Sequence, residues 1–166
     1  YNIRCGNKSG FYLPNPPRDN LVFETNTGKA NFVSHELMPI SVVKGSFLMM
    51  TIRSHDQYNT TIYSTNDRYR GISGGRRIVL MNKSDIENNE WKEFQEVTIT
   101  SHFEGDEISA NGWKIIAYDI PEGNVATYFP ESNILVPLDS VADRSNTPTS
   151  KSVIVTITPD LSRKNS

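Results

Sequence analysis

Apolar and polar residues alternate over short runs along most of the chain, the period-two signature of strands with one buried face. FLMMTIR (Phe47–Arg53) is a dense apolar run that turns polar at its end. It predicts a buried strand that delivers Arg53 and its successors to one end of a sheet. RIVLM (Arg77–Met81), EVTITS (Glu96–Ser101), WKIIAYDI (Trp113–Ile120) and KSVIVTITP (Lys151–Pro159) read as further strands, with the polar run FEGDEISANG as the turn between the second and third of these. LVFET (Leu21–Thr25) and ANFVS (Ala30–Ser34) flank Asn26–Lys29 and predict a hairpin. NKSDIENNEW spaces Ser84 and Glu87 as the capping box of a short helix.

The first twenty residues hold Pro14, Pro16 and Pro17 among several Gly and Asn, which predicts an extended leader or linker over 1–20. A domain is expected over 21–160, and a frayed tail over 161–166. Many short strands, one or two short helices and long polar connections point to a mainly β fold of the barrel class. The segment Tyr128–Ser152 is long and weakly periodic, which in a compact domain marks a functional loop or disorder.

The chain has 166 residues, enough for one domain with a sizeable core, and a formal net charge of -2. That balance excludes a general nucleic-acid binder, whose footprint is net basic, so any polyanion site must be local. Cys5 is the sole cysteine, which excludes an internal disulfide and any zinc or iron–sulfur site built from cysteines of this chain. No apolar run reaches membrane-spanning length and no signal sequence opens the chain, so it is expected to be soluble. It begins with Tyr1, and the expectation is a piece of a longer polypeptide.

One window stands out against this balance. Thr51–Asn82 carries five arginines, Arg53, Arg68, Arg70, Arg76 and Arg77, and no lysine. Arginine offers a planar fork of donors suited to phosphates, carboxylates and base edges, whereas lysine is a flexible point charge; the plainer reading of the same arginines is a solvated basic loop between two strands. Tyr58, Asn59 and Thr60 add an aromatic face and short hydrogen-bonding groups just after Arg53, a mixture suited to a flat heterocycle bearing a phosphate. An ordinary polar loop would read the same. Gly71–Gly75 is glycine-rich but precedes a strand, unlike a phosphate-cradling fingerprint. His35, His55 and His102 lack metal-ligand spacing, and the acid/base pair His55–Asp56 would need a bend to act together. In the late loop Asn133 offers donor and acceptor edges, and Lys151 sits at a strand start where it can meet an anion.

In their order these motifs resemble the C-terminal domain of molybdopterin-dependent oxidoreductases, most of all the alpha subunit of formate dehydrogenase-type enzymes. The resemblance rests on FETNTGKANF (Phe23–Phe32), on TIRSHDQYNTTIYSTNDRYRGISGGRRIVLMN, on the run from Ser101 to Ser152 and on the short helix around Asp85 and Ile86, together most of residues 23–158. Where that family usually has a Gly-Asp turn, this chain has Phe94-Gln95.

The resemblance implies a double-psi β-barrel that helps hold a bis-molybdopterin guanine dinucleotide carrying molybdenum or tungsten. It places Arg53, Ser54, His55, Gln57, Tyr58, Asn59 and Thr60 along the pterin and its phosphates, with Asn133 and Lys151 approaching from the late loop. Arg53, Asn59, Asn133 and Lys151 are then expected at one end of the barrel. No catalytic or metal-ligating residue is expected here, so the piece would be inactive alone. Its partners would be the N-terminal domains of the same polypeptide and electron-transfer subunits, not nucleic acid or a membrane, in the cytoplasm. Such packing predicts an exposed apolar patch including Phe11, Tyr12 and Phe129. The rival readings are a free-standing barrel that binds RNA or a protein through its arginine loop, and a hydrolase using His55 and Asp56.

Overall fold

The computed structural model describes residues 2–160; the tail expected to fray lies outside the described residues. Two compact units divide at Ile40 and Ser41. The second is mainly β, built on a closed barrel of six strands with one short helix.

The barrel strands are β1 (Phe47–Ile52), β4 (Ile78–Met81), β5 (Glu96–Phe103), β6 (Asp106–Ala117), β7 (Asn124–Tyr128) and β8 (Val153–Pro159), and a small hairpin of β2 (Gln57–Tyr58) and β3 (Thr61–Ile62) lies between β1 and β4. Around the barrel the order is β1-β7-β4-β6-β5-β8. β1 runs parallel to β7 and β4 parallel to β6, while the other four pairings are antiparallel.

Strand alternation decides what fills the barrel. Met49, Val79, Met81, Val97, Ile99, Trp113, Ile115, Val125 and Val155 point inward into one buried cluster. The opposite faces of β4 and β7 are buried too: Ile78, Leu80, Ala126 and Tyr128 pack with Ile72 into a second cluster. This is why Ile78–Met81 reads as an unbroken apolar run rather than an alternating one.

β6 begins at Asp106, so most of the polar run expected as a turn is strand; the turn is Glu104–Gly105, both at positive φ (51° and 96°). The helix α3 (Lys83–Asn88) is capped by Asn82, whose side chain accepts from the Ser84 amide at 2.7 Å, instead of by the expected Ser84. Phe94 holds φ 64° at the Phe94-Gln95 position, the left-handed region that glycine would enter without strain.

The late connection is folded. A 3-10 turn over Glu131–Leu135 lets Leu135 and Val136 pack into the barrel core.

In the first unit the expected extended leader contains two short helices, α1 (Asn2–Cys5) and α2 (Pro16–Asn20), the second capped by Asn15 with Pro16 at its first turn. The expected hairpin strands over Leu21–Thr25 and Ala30–Ser34 do not form, although Gly28 closes a turn onto Thr25 at 3.0 Å. A two-stranded ribbon without a third strand or a packed face is marginal in water. Phe11 and Tyr12 are exposed as expected, Phe129 is half-buried, and Leu21, Phe32, Val33, Leu37 and Met38 are largely exposed as well.

Candidate functional site

Strand direction gathers one end of the barrel. The parallel pairing Ile52↔Tyr128 puts the exits of β1 and β7 side by side, β8 enters beside β1 through Met49↔Val153, and β4 enters beside β7 through Val79↔Thr127. Residues 53–60, 76, 129–131 and 150–151 therefore flank the same rim although they span a hundred positions.

At that rim the chain leaves β1 and folds into the β2–β3 hairpin, with Asn59 at φ 50° in its tip. Arg53 reaches back to Asn59 Oδ1 at 3.3 Å. Gln57 is fully engaged: Oε1 accepts from the Ser54 amide at 3.2 Å, and Nε2 donates to the carbonyls of Asn59 at 3.0 Å and Phe129 at 2.8 Å. Lys151 Nζ donates to the Thr51 carbonyl, and Thr51 N donates to Ser150 O at 2.9 Å, which ties the entry of β8 to the exit of β1. Arg53, Tyr58, Asn59, Thr60 and Lys151 remain exposed, whereas Ser54 is buried. Asn133 lies on the same late connection, two residues beyond Glu131 in the 3-10 turn, with an exposed side chain that makes no hydrogen bond among the described residues. The structure thus joins Arg53 to Asn59 and seats Lys151 on the neighbouring strand end, while no hydrogen bond among the described residues ties Asn133 to them.

His55 and Asp56 form the bend that their joint action would need, with His55 Nε2 3.5 Å from Asp56 Oδ1. Arg68 occupies both: its Nη2 lies 2.8 Å from His55 Nε2 and donates to Asp56 Oδ1 at 3.1 Å. A guanidinium cannot accept, so Nε2 must, which leaves the imidazole proton on Nδ1. His102 meets Thr156 at 2.8 Å and Glu107 at 3.1 Å along the sheet. Among the described residues no three His, Cys, Asp or Glu side chains lie close enough to hold a metal.

The arginines of the window divide sharply. Arg68 holds Asp56, Arg70 pairs with Asp67, Arg76 pairs with Glu131, and Arg77 donates to Asn111 O at 2.9 Å with its guanidinium 5.7 Å from the Trp113 ring centre. Four of the five thereby have partners within the domain, although Arg68 and Arg77 stay exposed, while Arg53 is exposed with a single long side-chain bond.

Asp67 is the buried anion of this region. Its carboxylate accepts from Tyr128 Oη at 2.7 Å, from the Arg70 guanidinium and from the amides of Tyr69 at 3.1 Å and Arg70 at 3.3 Å. Burial alone would push this carboxyl up, but the Tyr128 hydroxyl and Arg70 outweigh it and hold it below its ordinary value. Burial, and then the hydrogen bond to Asp67, push the Tyr128 hydroxyl up, so it remains a donor.

Behind the Arg76–Glu131 pair lies a pocket of about 790 Å³, lined by the Gly71–Gly75 loop together with Phe94, Lys114 and Ile116. None of the nine residues expected to hold a cofactor lines it.

A family model described as the molydopterin dinucleotide binding domain matches residues 47–154. Proteins named as uncharacterized oxidoreductases in Mycobacterium bovis and in Mycobacterium tuberculosis H37Rv are each 46% identical over 164 residues, covering 96% of this chain and 21% of theirs. Protein YdeP of Escherichia coli K12 is 34% identical over 165 residues, 96% of this chain and 22% of its own. The chain therefore spans about a fifth of the length of these curated relatives. Among solved structures, acetylene hydratase from Pelobacter acetylenicus superposes with a TM-score of 0.47 at 7% identity, over 68% of this chain and 18% of that one. No helix among the described residues is long and apolar enough to cross a membrane.

Proposed function

Since the chain belongs to the molydopterin dinucleotide-binding domain family, we propose that the rim carrying Arg53, His55, Tyr58, Asn59, Thr60 and Lys151 grips that cofactor within a larger oxidoreductase. The observation that carries this reading is the open donor set. Arg53 and Lys151 supply positive charge for a pyrophosphate, Asn59 and Thr60 supply amide and hydroxyl groups for a heterocycle edge, and Tyr58 supplies an exposed ring, 71% accessible, for a flat surface. The residues present therefore fit the group by their chemistry. Ser54 and Gln57 serve the same site from beneath, because their side chains are held inside the domain and fix the backbone on which the open groups stand.

When bound, the molybdopterin group supplies metal-centred redox chemistry, while the protein contributes binding, orientation and electrostatics. Arg53 and Lys151 neutralise phosphate charge. His55 offers its Nδ1 proton as a donor, and Asn59, set at the hairpin tip, orients the ring it meets. By its resemblance to formate dehydrogenase-type alpha subunits, we assign the whole enzyme to that type, with a bis-guanine dinucleotide, molybdenum or tungsten, electron-transfer subunits and a cytoplasmic setting. The metal ligand and the catalytic step fall to the remainder of the polypeptide, so the isolated barrel is expected to be inactive. The exposed apolar side chains over Leu21–Ile40 suit packing against that remainder.

The test is cofactor retention by the full-length protein, read as the pterin fluorescence released on oxidative denaturation. Arg53→Ala removes a charge-assisted contact worth about 1.5–3 kcal/mol, which is about 10- to 150-fold in affinity, and its one internal hydrogen bond is too long to matter for folding. Lys151→Ala is expected to act in the same direction. Wild-type cofactor content in both purified variants after dilution and gel filtration would overturn the assignment.

A further inference from the structure

Arg76 is 7% exposed, an unusual position for a guanidinium so close to the rim. It directly follows Gly74-Gly75 and precedes β4. Its Nε and Nη2 form a forked pair with the two Glu131 oxygens at 2.6 and 3.1 Å. Nη2 also donates to Gln57 Oε1 at 3.0 Å and to Phe129 O at 2.8 Å, and Nη1 donates to Ser54 Oγ. The guanidinium carbon stands 5.0 Å from the centre of the Tyr128 ring. One side chain thus joins the exit of β1, the entry of β4 and the exit of β7.

Burying a cation is costly unless its pairing is excellent, and here the pairing is spread over acceptors of two segments, residues 54–57 and 129–131. Only a planar fork reaches both together; an ammonium in the same place meets Glu131 and leaves the 54–57 segment unlinked. The contacts then continue outward. Gln57, held by Arg76, donates to Asn59 O, and Asn59 in turn accepts from Arg53. The backbone from Ser54 to Asn59 is therefore suspended from a guanidinium that faces away from solvent.

We propose that Arg76 is a positioning residue for cofactor binding: it sets the pose of the Arg53–Asn59 segment that faces the dinucleotide without touching the dinucleotide itself. This rests on the reading that the segment is the cofactor grip. A purely charge-balancing role for Arg76 predicts that lysine replaces it; a positioning role predicts that lysine does not.

The experiment uses the full-length protein as wild type, Arg76→Lys, Arg76→Met and Gln57→Met, with two readouts. Amide hydrogen exchange is followed at residues 54–59, with strands β5 and β8 as internal reference, and cofactor content is measured by released pterin fluorescence. Arg76→Lys is expected to speed exchange at 54–59 by about tenfold, with β5 and β8 unchanged, and to lose cofactor as Arg76→Met does. Gln57→Met breaks the same relay from its far side while leaving the Arg76–Glu131 pair in place, so it carries the test if Arg76→Met does not fold. It should reproduce the exchange change at 58–59. Wild-type exchange at 54–59 in Arg76→Lys, or in Gln57→Met, overturns the positioning role. Faster exchange at 54–59 with undiminished cofactor content upholds the local tie but overturns the proposal for binding, and if Arg53→Ala also keeps its cofactor, the grip assignment itself is what has failed.

Discussion

Asp67→Ala is expected to lower the unfolding free energy by about 3–5 kcal/mol, toward the lower figure because Arg70 keeps some access to water. The side chain of Asp67 is wholly buried and answers three elements at once: the Tyr128 hydroxyl from β7, the Arg70 guanidinium, and the amides that close the turn over residues 67–70. Removing it leaves a phenol and a cation without partners against the outer apolar cluster. Asp67→Asn keeps an acceptor for Tyr128 but loses the ion pair, so it should cost less. The depressed carboxyl gives this prediction a direction in pH. The stabilisation is fully present above the ordinary value of 3.8 and is lost as pH falls through the lower folded value. Melting temperature followed from pH 7 into acid should fall more steeply for wild type than for Asp67→Asn. Parallel curves would show that Asp67 contributes no linked proton.

Trp113→Ala should cost about 3–5 kcal/mol, read as a lowered denaturant midpoint at unchanged slope. Trp113 points into the barrel from β6, is fully buried, and packs among residues from across the barrel. Its indole N–H has no partner among the described residues, so the site bears a polar group that packing must offset. Trp113→Phe removes that N–H along with one ring, and the two changes oppose each other. A loss of about 1 kcal/mol or less is expected for Phe, and a loss well above that, in proportion to the ring volume removed, would show that volume, rather than the orphaned donor, sets the energy there.

Strands that combine alternation with β-branched residues were legible in the sequence, as in Phe47–Ile52, Glu96–Ser101 and Val153–Pro159. β7 was not, because Asn124–Tyr128 is short, contains Ala and Thr, and owes its strand state to β1 and β4 on either side rather than to a pattern of its own. The opposite failure occurs at Leu21–Ser34, where apolar runs imitate strands but find no partner strand in the described structure. The helix after β4 was legible, but its cap was shifted by two residues, since Asn82 and Ser84 are both good caps and only the end of β4 decides between them. For the site, the polar run after β1 was readable because an apolar strand ends there in Arg, Ser and His. The distinction between Arg53, turned outward, and Arg76, turned inward, was hidden. A hint existed: two arginines precede a strand buried on both faces, so alternation must carry one of them inward. Its partner Glu131 lies 55 positions away, and only the closed barrel brings the two together.

The cyclic strand order also sets a timetable. β1 is the first barrel strand to leave the ribosome, yet both of its neighbours, β7 and β8, are made last. Until β7 emerges with residues 124–128, Phe47–Ile52 has no edge on which to settle, and until β8 follows, the rim beside the next arginine is unfinished. Contacts of such long sequence separation form slowly. The barrel therefore passes the synthesis of β2 to β6 with a dense apolar strand unpaired, a state that invites chaperone protection. If the rim holds the dinucleotide, loading must wait for a finished and closed barrel, and deletion of β8 alone would abolish loading while sparing every residue from Arg53 to Thr60.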